Sequence, residues 1–183
     1  MPFGASSNTY LSFDYFRTQF TQQMVVDYEH FDNTIDFYAL DGNRSYTDNY
    51  QVDFSVDPVE RFNITATFRY TDARIELAGK GLVEKPMTSR FKGVLNLQYA
   101  TNMNKWVFDF TASLNGSCRV YDFMKDLKDA DGNLLYANGR TPVYPLLYAQ
   151  VTRKLRGVDL YIGAENLTNF KQKPAIIGTR GAD

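Results

Sequence analysis

Phe62-Asn63-Ile64-Thr65-Ala66-Thr67-Phe68-Arg69-Tyr70-Thr71 alternates without a break, with every even position apolar and every odd position polar. Period-two alternation places one set of side chains on each face of a β-strand. The pattern returns at Phe91–Tyr99, Trp106–Asn115 and Val158–Asn166. Strands of a soluble sandwich alternate too, but length and rim set these apart. They run about ten residues, enough to cross a bilayer when tilted. Aromatics also open and close the apolar face on two of them, Phe62 with Tyr70 and Phe91 with Tyr99. Roughly eight residues at about 3.3 Å each, tilted about 40°, span on the order of 20 Å. That is close to the height of the lipid-facing band of a transmembrane β-barrel, which aromatic girdles flank.

Working outward, the same reading yields about seven strands. The first runs from Thr9 to about Val26, the second from about Ser45 to Asp57. The next three are Phe62–Ala73, Arg90–Tyr99 and Trp106–Asn115. The last two are about Pro145–Arg153 and Val158–Asn166. Short connections at Asp57–Arg61, Thr101–Lys105 and Lys154–Gly157 alternate with long ones at about Asp27–Arg44, Arg74–Ser89, Ser117–Tyr144 and from Leu167 onward. In an up-and-down meander, alternate connections emerge on the same side. Short turns should therefore share one rim and long loops the other, as in outer-membrane barrels. Phe62, Tyr99 and Trp106 would form the girdle beside the short turns. The expected fold is all-β, an antiparallel meander forming part of a transmembrane barrel. The sheet should be open, because so few strands cannot close at the expected width.

Composition agrees with this class. Twenty basic residues face 21 acidic ones among 183, so no nucleic-acid partner is indicated. No apolar run approaches the length of a transmembrane helix. Mean hydropathy is negative, but barrel strands hide from such averages behind their polar positions. Met1 is followed by neither a basic n-region nor an apolar h-region, so an exported barrel of this sequence is expected to be a segment of a longer protein. One cysteine, Cys118, and one histidine, His30, leave no internal disulfide and exclude most zinc sites. No Ser-His-Asp set or phosphate loop is present, and neither catalysis nor a cofactor is expected.

The last strand carries a resemblance. Val158 to Asn166 is followed by Leu167-Thr168-Asn169-Phe170, and Gly163 to Asn169 reads Gly-Ala-Glu-Asn-Leu-Thr-Asn. This resembles the late barrel of TonB-dependent receptors of the Bacteroidetes type, in which Gly-x-Glu-Asn-Leu-Thr-Asn leads from a strand into an extracellular loop. Pro174, Ile176 and Ile177 fit the loop beyond that motif, and the hairpin from Gln51 to Tyr70, Lys105-Trp106 and Asp109-Phe110-Thr111 are similar too. Such receptors have a plug, a TonB box and about 22 strands. The resemblance therefore implies that residues 1–183 form a single partial barrel domain, a C-terminal segment without the plug and the final strand. It implies a bacterial outer-membrane location and energised uptake of a bulky nutrient: a metal chelate, a cobalamin or a glycan. The implied partners are outer-membrane lipid, the rest of the barrel and plug, the TonB system through the missing N-terminal part, and a surface lipoprotein. The competing readings are a soluble β-barrel or sandwich binding a sugar or lipid, whose apolar face would point inward, and an adhesive β-protein using its long loops.

Candidate ligand contacts are the loop aromatics Tyr38, Tyr46, Tyr121, Phe123 and Tyr136, because rigid amphipathic rings give contact area at little entropic cost. Packing of the loops on themselves is the competing role. Asp129-Ala130-Asp131-Gly132-Asn133 resembles part of a calcium loop, but it lacks the acidic first ligand and the glutamate twelfth, and reads as a turn within a hairpin. Glu165, Asn166, Thr168 and Asn169 read as a strand-to-loop turn closed by side chains. Gln51, Asp53, Asn63, Thr65, Thr67, Arg69, Lys92, Asn96, Gln98, Asp109 and Thr111 all fall on the polar parity, suited to a wetted lumen.

Overall fold

A computed structural model describes residues 9–27, 35–41, 44–129 and 131–171. His30, Pro174, Ile176 and Ile177 lie outside them. Among the described residues, ten strands form: β1 (Thr9–Gln19), β2 (Gln22–Asp27), β3 (Asp36–Asp41), β4 (Tyr46–Val59), β5 (Phe62–Leu77), β6 (Gly81–Glu84), β7 (Phe91–Ala100), β8 (Trp106–Asn115), β9 (Tyr144–Leu155) and β10 (Val158–Ala164). Seven make one antiparallel meander in the order β1-β4-β5-β7-β8-β9-β10, with β6 added to the end of β5. β2 and β3 form a separate hairpin. The large sheet is open, with β1 and β10 at its edges.

Register carries the alternation across the whole sheet. One row of paired residues reads Leu11–Phe54–Ala66–Leu95–Ala112–Leu147. The row beside it points to the other face and reads Ser55–Thr65–Asn96–Thr111–Tyr148. All eleven residues assigned to the polar parity fall on this second face. They hydrogen-bond to one another across the strands: Thr67 donates to Asp53 at 2.6 Å, Arg69 to Gln51 at 2.6 and 2.8 Å, Asn96 to Thr111 at 2.8 Å and Gln98 to Asp109 at 2.8 Å.

Among the described residues, nothing covers the apolar face. Every substantial contact between elements is between hydrogen-bonded neighbours, so the sheet is a single layer. Phe13 is 73% exposed, Phe68 49%, Leu95 38% and Ile162 76%. The buried hydrophobic residues among those described are Val25, Ala73, Leu77, Val120, Met124 and Tyr136, and all lie toward the long loops. A soluble barrel or sandwich must shelter its apolar face to offset chain entropy; among the described residues this sheet leaves its own uncovered.

The rims segregate as expected. Phe62 pairs with Tyr99, Ala100 with Val107, Trp106 with Arg153 and Val158 with Leu155, which gathers the three short turns at one end. Tyr46 pairs with both Gln19 and Arg74 at the opposite end, where the long loops emerge. Aromatics border the apolar face at both ends. Phe62, Tyr99 and Phe108 align beside the short turns, with Trp106 next to them under the Arg153 guanidinium, 4.7 Å from its ring. Tyr15, Tyr50, Tyr70 and Phe91 align at the other end. Ring centroids there lie 5.0 Å apart for Tyr15–Tyr50 and 6.3 Å for Tyr50–Tyr70.

Several boundaries differ from the sequence reading, among them that of β5, which runs to Leu77 rather than Ala73 and there pairs with β6. The first strand ends at Gln19 rather than Val26. The Phe20 amide still bonds the Ser45 carbonyl at 2.9 Å, after which the chain leaves the sheet and β2 pairs with β3. Thus the long connection after the first strand holds a hairpin. The last strand stops at Ala164, because Asn166 turns left-handed at φ 51°.

Where the sheet meets the loops, Gly116 is pressed against Phe91. A Cβ on Gly116 would lie 2.6 Å from the Phe91 carbonyl oxygen and 2.8 Å from its ring. Gly116→Ala is expected to cost about 1–3 kcal/mol through this overpacking. The expected readout is a lower temperature for loss of the folded, heat-modifiable band of the complete protein.

Candidate functional site

The long-loop end is where chemistry can be presented, and its loops are built on one another. Residues 117–144 enclose a small core of Val120, Met124 and Tyr136, against which Met87, Tyr121 and Leu135 pack. Met87 belongs to the loop after β6, so two long loops share this core. Charge joins them again at Glu84, the last residue of β6. Its carboxylate accepts from Arg90 at 3.0 and 2.6 Å and from Arg140 at 3.1 and 3.0 Å. Arg119 donates to the Glu84 carbonyl at 3.0 Å, and Lys80 reaches Asp122 at 2.8 Å. The β2–β3 hairpin docks through Tyr38, whose hydroxyl accepts from the Ala78 amide at 3.0 Å and donates to Asp27 at 3.2 Å.

Burial raises the cost of charge at Glu84, yet the hydrogen bonds and charge of Arg140 and Arg90 outweigh it and hold the carboxyl below its ordinary range. A depressed folded pKa contributes stability that is present above the unfolded value, about 4.3, and is lost as pH falls through the folded value. Loops 74–89 and 117–144 should therefore become protease-sensitive together as pH drops below about 4. Glu84→Gln should flatten that dependence and loosen the loops already at neutral pH, which limited proteolysis at a series of pH values would measure.

The five candidate aromatics take different places. Tyr38 is tied down by its bonds to Ala78 and Asp27. Tyr46 lies on the apolar parity beyond the Tyr15–Tyr50–Tyr70 row; its hydroxyl donates to Asp72 at 3.0 Å and the Arg17 guanidinium sits 4.5 Å from its ring. Tyr136 is only 1% exposed, and its ring fills the loop core. Tyr121 and Phe123 stack at 5.7 Å and 10°, and Phe123 keeps 38% of its surface. Of the five, the structure brings Tyr121, Phe123 and Tyr136 together and presents Phe123 outward.

The turn readings hold. The Asp129 carboxylate accepts from the amides of Asp131 at 3.0 Å and Asn133 at 2.8 Å, closing a small hairpin bridged by Lys128 and Leu134. Those bonds, the Asn133 amide foremost, hold the carboxyl below its usual range. No group of residues suited to a metal ion occurs among the described residues. Asn166 Oδ1 accepts from the Phe170 amide at 2.9 Å and the Thr168 hydroxyl at 3.1 Å, the Leu167 amide reaches back to Leu147 at 2.9 Å, and Phe170 stacks on Tyr144 at 4.5 Å. The Glu165–Asn169 stretch therefore folds the chain back over the start of β9. Burial pushes the Cys118 thiol up, away from nucleophilic reactivity. On the polar face of the sheet, Asn96, Asp109, Thr111, Tyr148, Gln150 and Tyr161 line an open recess across β7 to β10.

The Glu84–Arg140 lock escaped the sequence reading. Its partners stand 56 residues apart, and no local spacing announces them.

The fold has known counterparts. The chain is similar to the ferric citrate transporter FecA in its unliganded form, with a TM-score of 0.66 and 18% identity over 88% of this chain and 24% of that one. It is also similar to BauA, the ferric preacinetobactin receptor of Acinetobacter baumannii, with a TM-score of 0.54 and 13% identity over 88% of this chain and 23% of that one. The open antiparallel sheet is thus a fold shared with part of each of these two proteins. The chain spans about a quarter of the length of these structures. No protein-family model and no curated protein matches the sequence.

Proposed function

We propose that this chain is a wall-and-loop segment of a TonB-dependent receptor in a bacterial outer membrane, serving energised uptake of a bulky nutrient. The observation that carries the reading is the uncovered apolar face bordered at both ends by aligned aromatics, which fits acyl chains between two interfaces. The hydrogen-bonded polar face then lines the lumen, and β1 and β10 pair with the rest of the barrel. Residues 1–183 act as one unit of wall, while plug and TonB contacts belong to other parts of the receptor. Among metal chelates, cobalamins and glycans, the names of the two solved counterparts favour a metal chelate. Phe123, stacked on Tyr121, is the residue best presented to meet it, and a surface lipoprotein would approach from this same loop end. The segment carries no catalytic role. Uptake of labelled ferric chelates, cobalamin and oligosaccharides by cells with and without the complete receptor tests the reading. Receptor-dependent uptake of one class, abolished by a protonophore, is expected. Recovery of the protein in the soluble fraction, or receptor-dependent uptake indifferent to the protonophore, would overturn it.

A further inference from the structure

Past Arg74, β5 runs beyond its pairing with β4 and has β6 as its strand partner, from Arg74–Glu84 to Leu77–Gly81. These few residue pairs make a short two-stranded extension, and such a ribbon is marginal at best by itself. It is held from both sides. On one side, Glu76 fastens the base of the β2–β3 hairpin. Its carboxylate accepts from the Arg44 amide at 2.7 Å and from the Arg44 guanidinium at 3.2 and 3.0 Å, and its own amide donates to the Ser45 hydroxyl at 2.9 Å. The Ala78 amide, in the turn of the extension, donates to Tyr38 on β3. On the other side, Glu84 fastens loop 117–144 through Arg140 and Arg119, and Lys80 reaches Asp122.

Both glutamates lie on one face of the extension. Glu76 pairs with Leu82, and two residues along, Arg74 pairs with Glu84; cross-strand partners share a face. The two carboxylates are sheltered, with side chains 20% and 13% exposed. The clamps on the two loops thus sit one diagonal apart, on a ribbon too short to keep its pairing without them. Losing either clamp frays the pairing that positions the other. Coupling between two places needs a shared element with two arrangements. The paired and frayed states of the ribbon supply them, as local opening does elsewhere in proteins.

We propose that the β5–β6 extension couples the β2–β3 hairpin to loop 117–144, so that the two loosen or settle as one unit. A contact made at Phe123 is then felt across the loop end rather than in one loop. That consequence rests on the capture of a nutrient proposed above; the coupling itself does not, and its test uses no nutrient. Hydrogen–deuterium exchange of the complete receptor in lipid bilayers, read by mass spectrometry, would follow β2, β3, residues 74–84 and residues 117–129. Tyr38→Phe/Arg44→Ala cuts the hairpin side and Arg140→Ala the loop side, each at residues outside the extension. Each cut should speed exchange roughly threefold or more in residues 74–84 and in the loop it does not touch, within the range such networks carry. Glu60→Gln, at the opposite rim, should change none of these segments. Should one cut variant fail to assemble, the other decides alone, because coupling is reciprocal. Faster exchange confined to the cut side would overturn the proposal. So would a remote response that bypasses residues 74–84, which would mark direct contact between the loops. An equal rise in β7 and β8, or a rise with Glu60→Gln, would mark general loosening and overturn it too.

Discussion

Leu95→Arg is expected to remove most of the assembled barrel from the outer-membrane fraction of cells making the complete receptor. Leu95 sits in the row midway between the two aromatic borders, four residues from Tyr99 and four from Phe91. Arginine near the bilayer midplane of a lipid face costs roughly 2–4 kcal/mol, and the penalty falls to about 0–1 kcal/mol near the interfaces. Phe108 aligns with Tyr99 in the border row, so Phe108→Arg should be tolerated far better. Asn96 and Thr111 occupy the polar face, where Asn96→Arg and Thr111→Arg forfeit one 2.8 Å hydrogen bond and gain room in a wetted lumen. Both should assemble nearly normally. Heat-modifiable gel mobility reads all four, and the expected order of loss is Leu95 first, Phe108 well behind, and the polar pair last. Equal losses from the two faces would mean that the apolar face is a packed core.

Tyr136→Ala should have the second large effect, confined to the loops. Emptying a fully buried aromatic site costs about 3–5 kcal/mol. The core it leaves is small, with Val120 and Met124 as its buried companions among the described residues. Loop 117–144 should therefore open while the sheet persists, and proteolysis should nick it at neutral pH. Tyr136→Phe keeps the ring and should stay resistant. Phe123→Ala separates packing from ligand contact: it should leave resistance unchanged and weaken capture of the nutrient. Reduced capture by Tyr136→Phe with an intact loop would instead give the Tyr136 hydroxyl a direct role.

The parts of the fold legible in the sequence were those where one strand had two different environments. β5, β7 and β8 alternate between the two aromatic borders because one face there is apolar and the other mostly polar; Trp106–Asn115 is found unchanged. The break after Gln19 was not legible. Val25 and Val26 continue the apolar character of Leu11 and Phe13, and only the pairing of β2 with β3 diverts them. The Asn166 turn was legible because a side-chain oxygen near its own backbone is a local device. Tyr136 and Tyr121 were indistinguishable in sequence, since burial in a loop core is decided by residues from Met87 to Leu135. Glu84 with Arg90 and Arg140 was hidden for the same reason: long-range pairing leaves no periodic trace.

The central claim is that the apolar face meets lipid, and collision accessibility along β7 tests it most directly. Nitroxide labels would be placed one at a time at Val94, Leu95, Asn96, Leu97 and Gln98 of the complete receptor in lipid bilayers, with Cys118 replaced by serine. Oxygen, enriched among acyl chains, and a water-soluble nickel chelate would report each position by power saturation. Oxygen accessibility is expected to peak at Leu95 and Leu97 and nickel accessibility to be higher at Asn96 and Gln98, alternating with period two. Nickel maxima at Leu95 and Leu97, or no alternation at all, would contradict the claim.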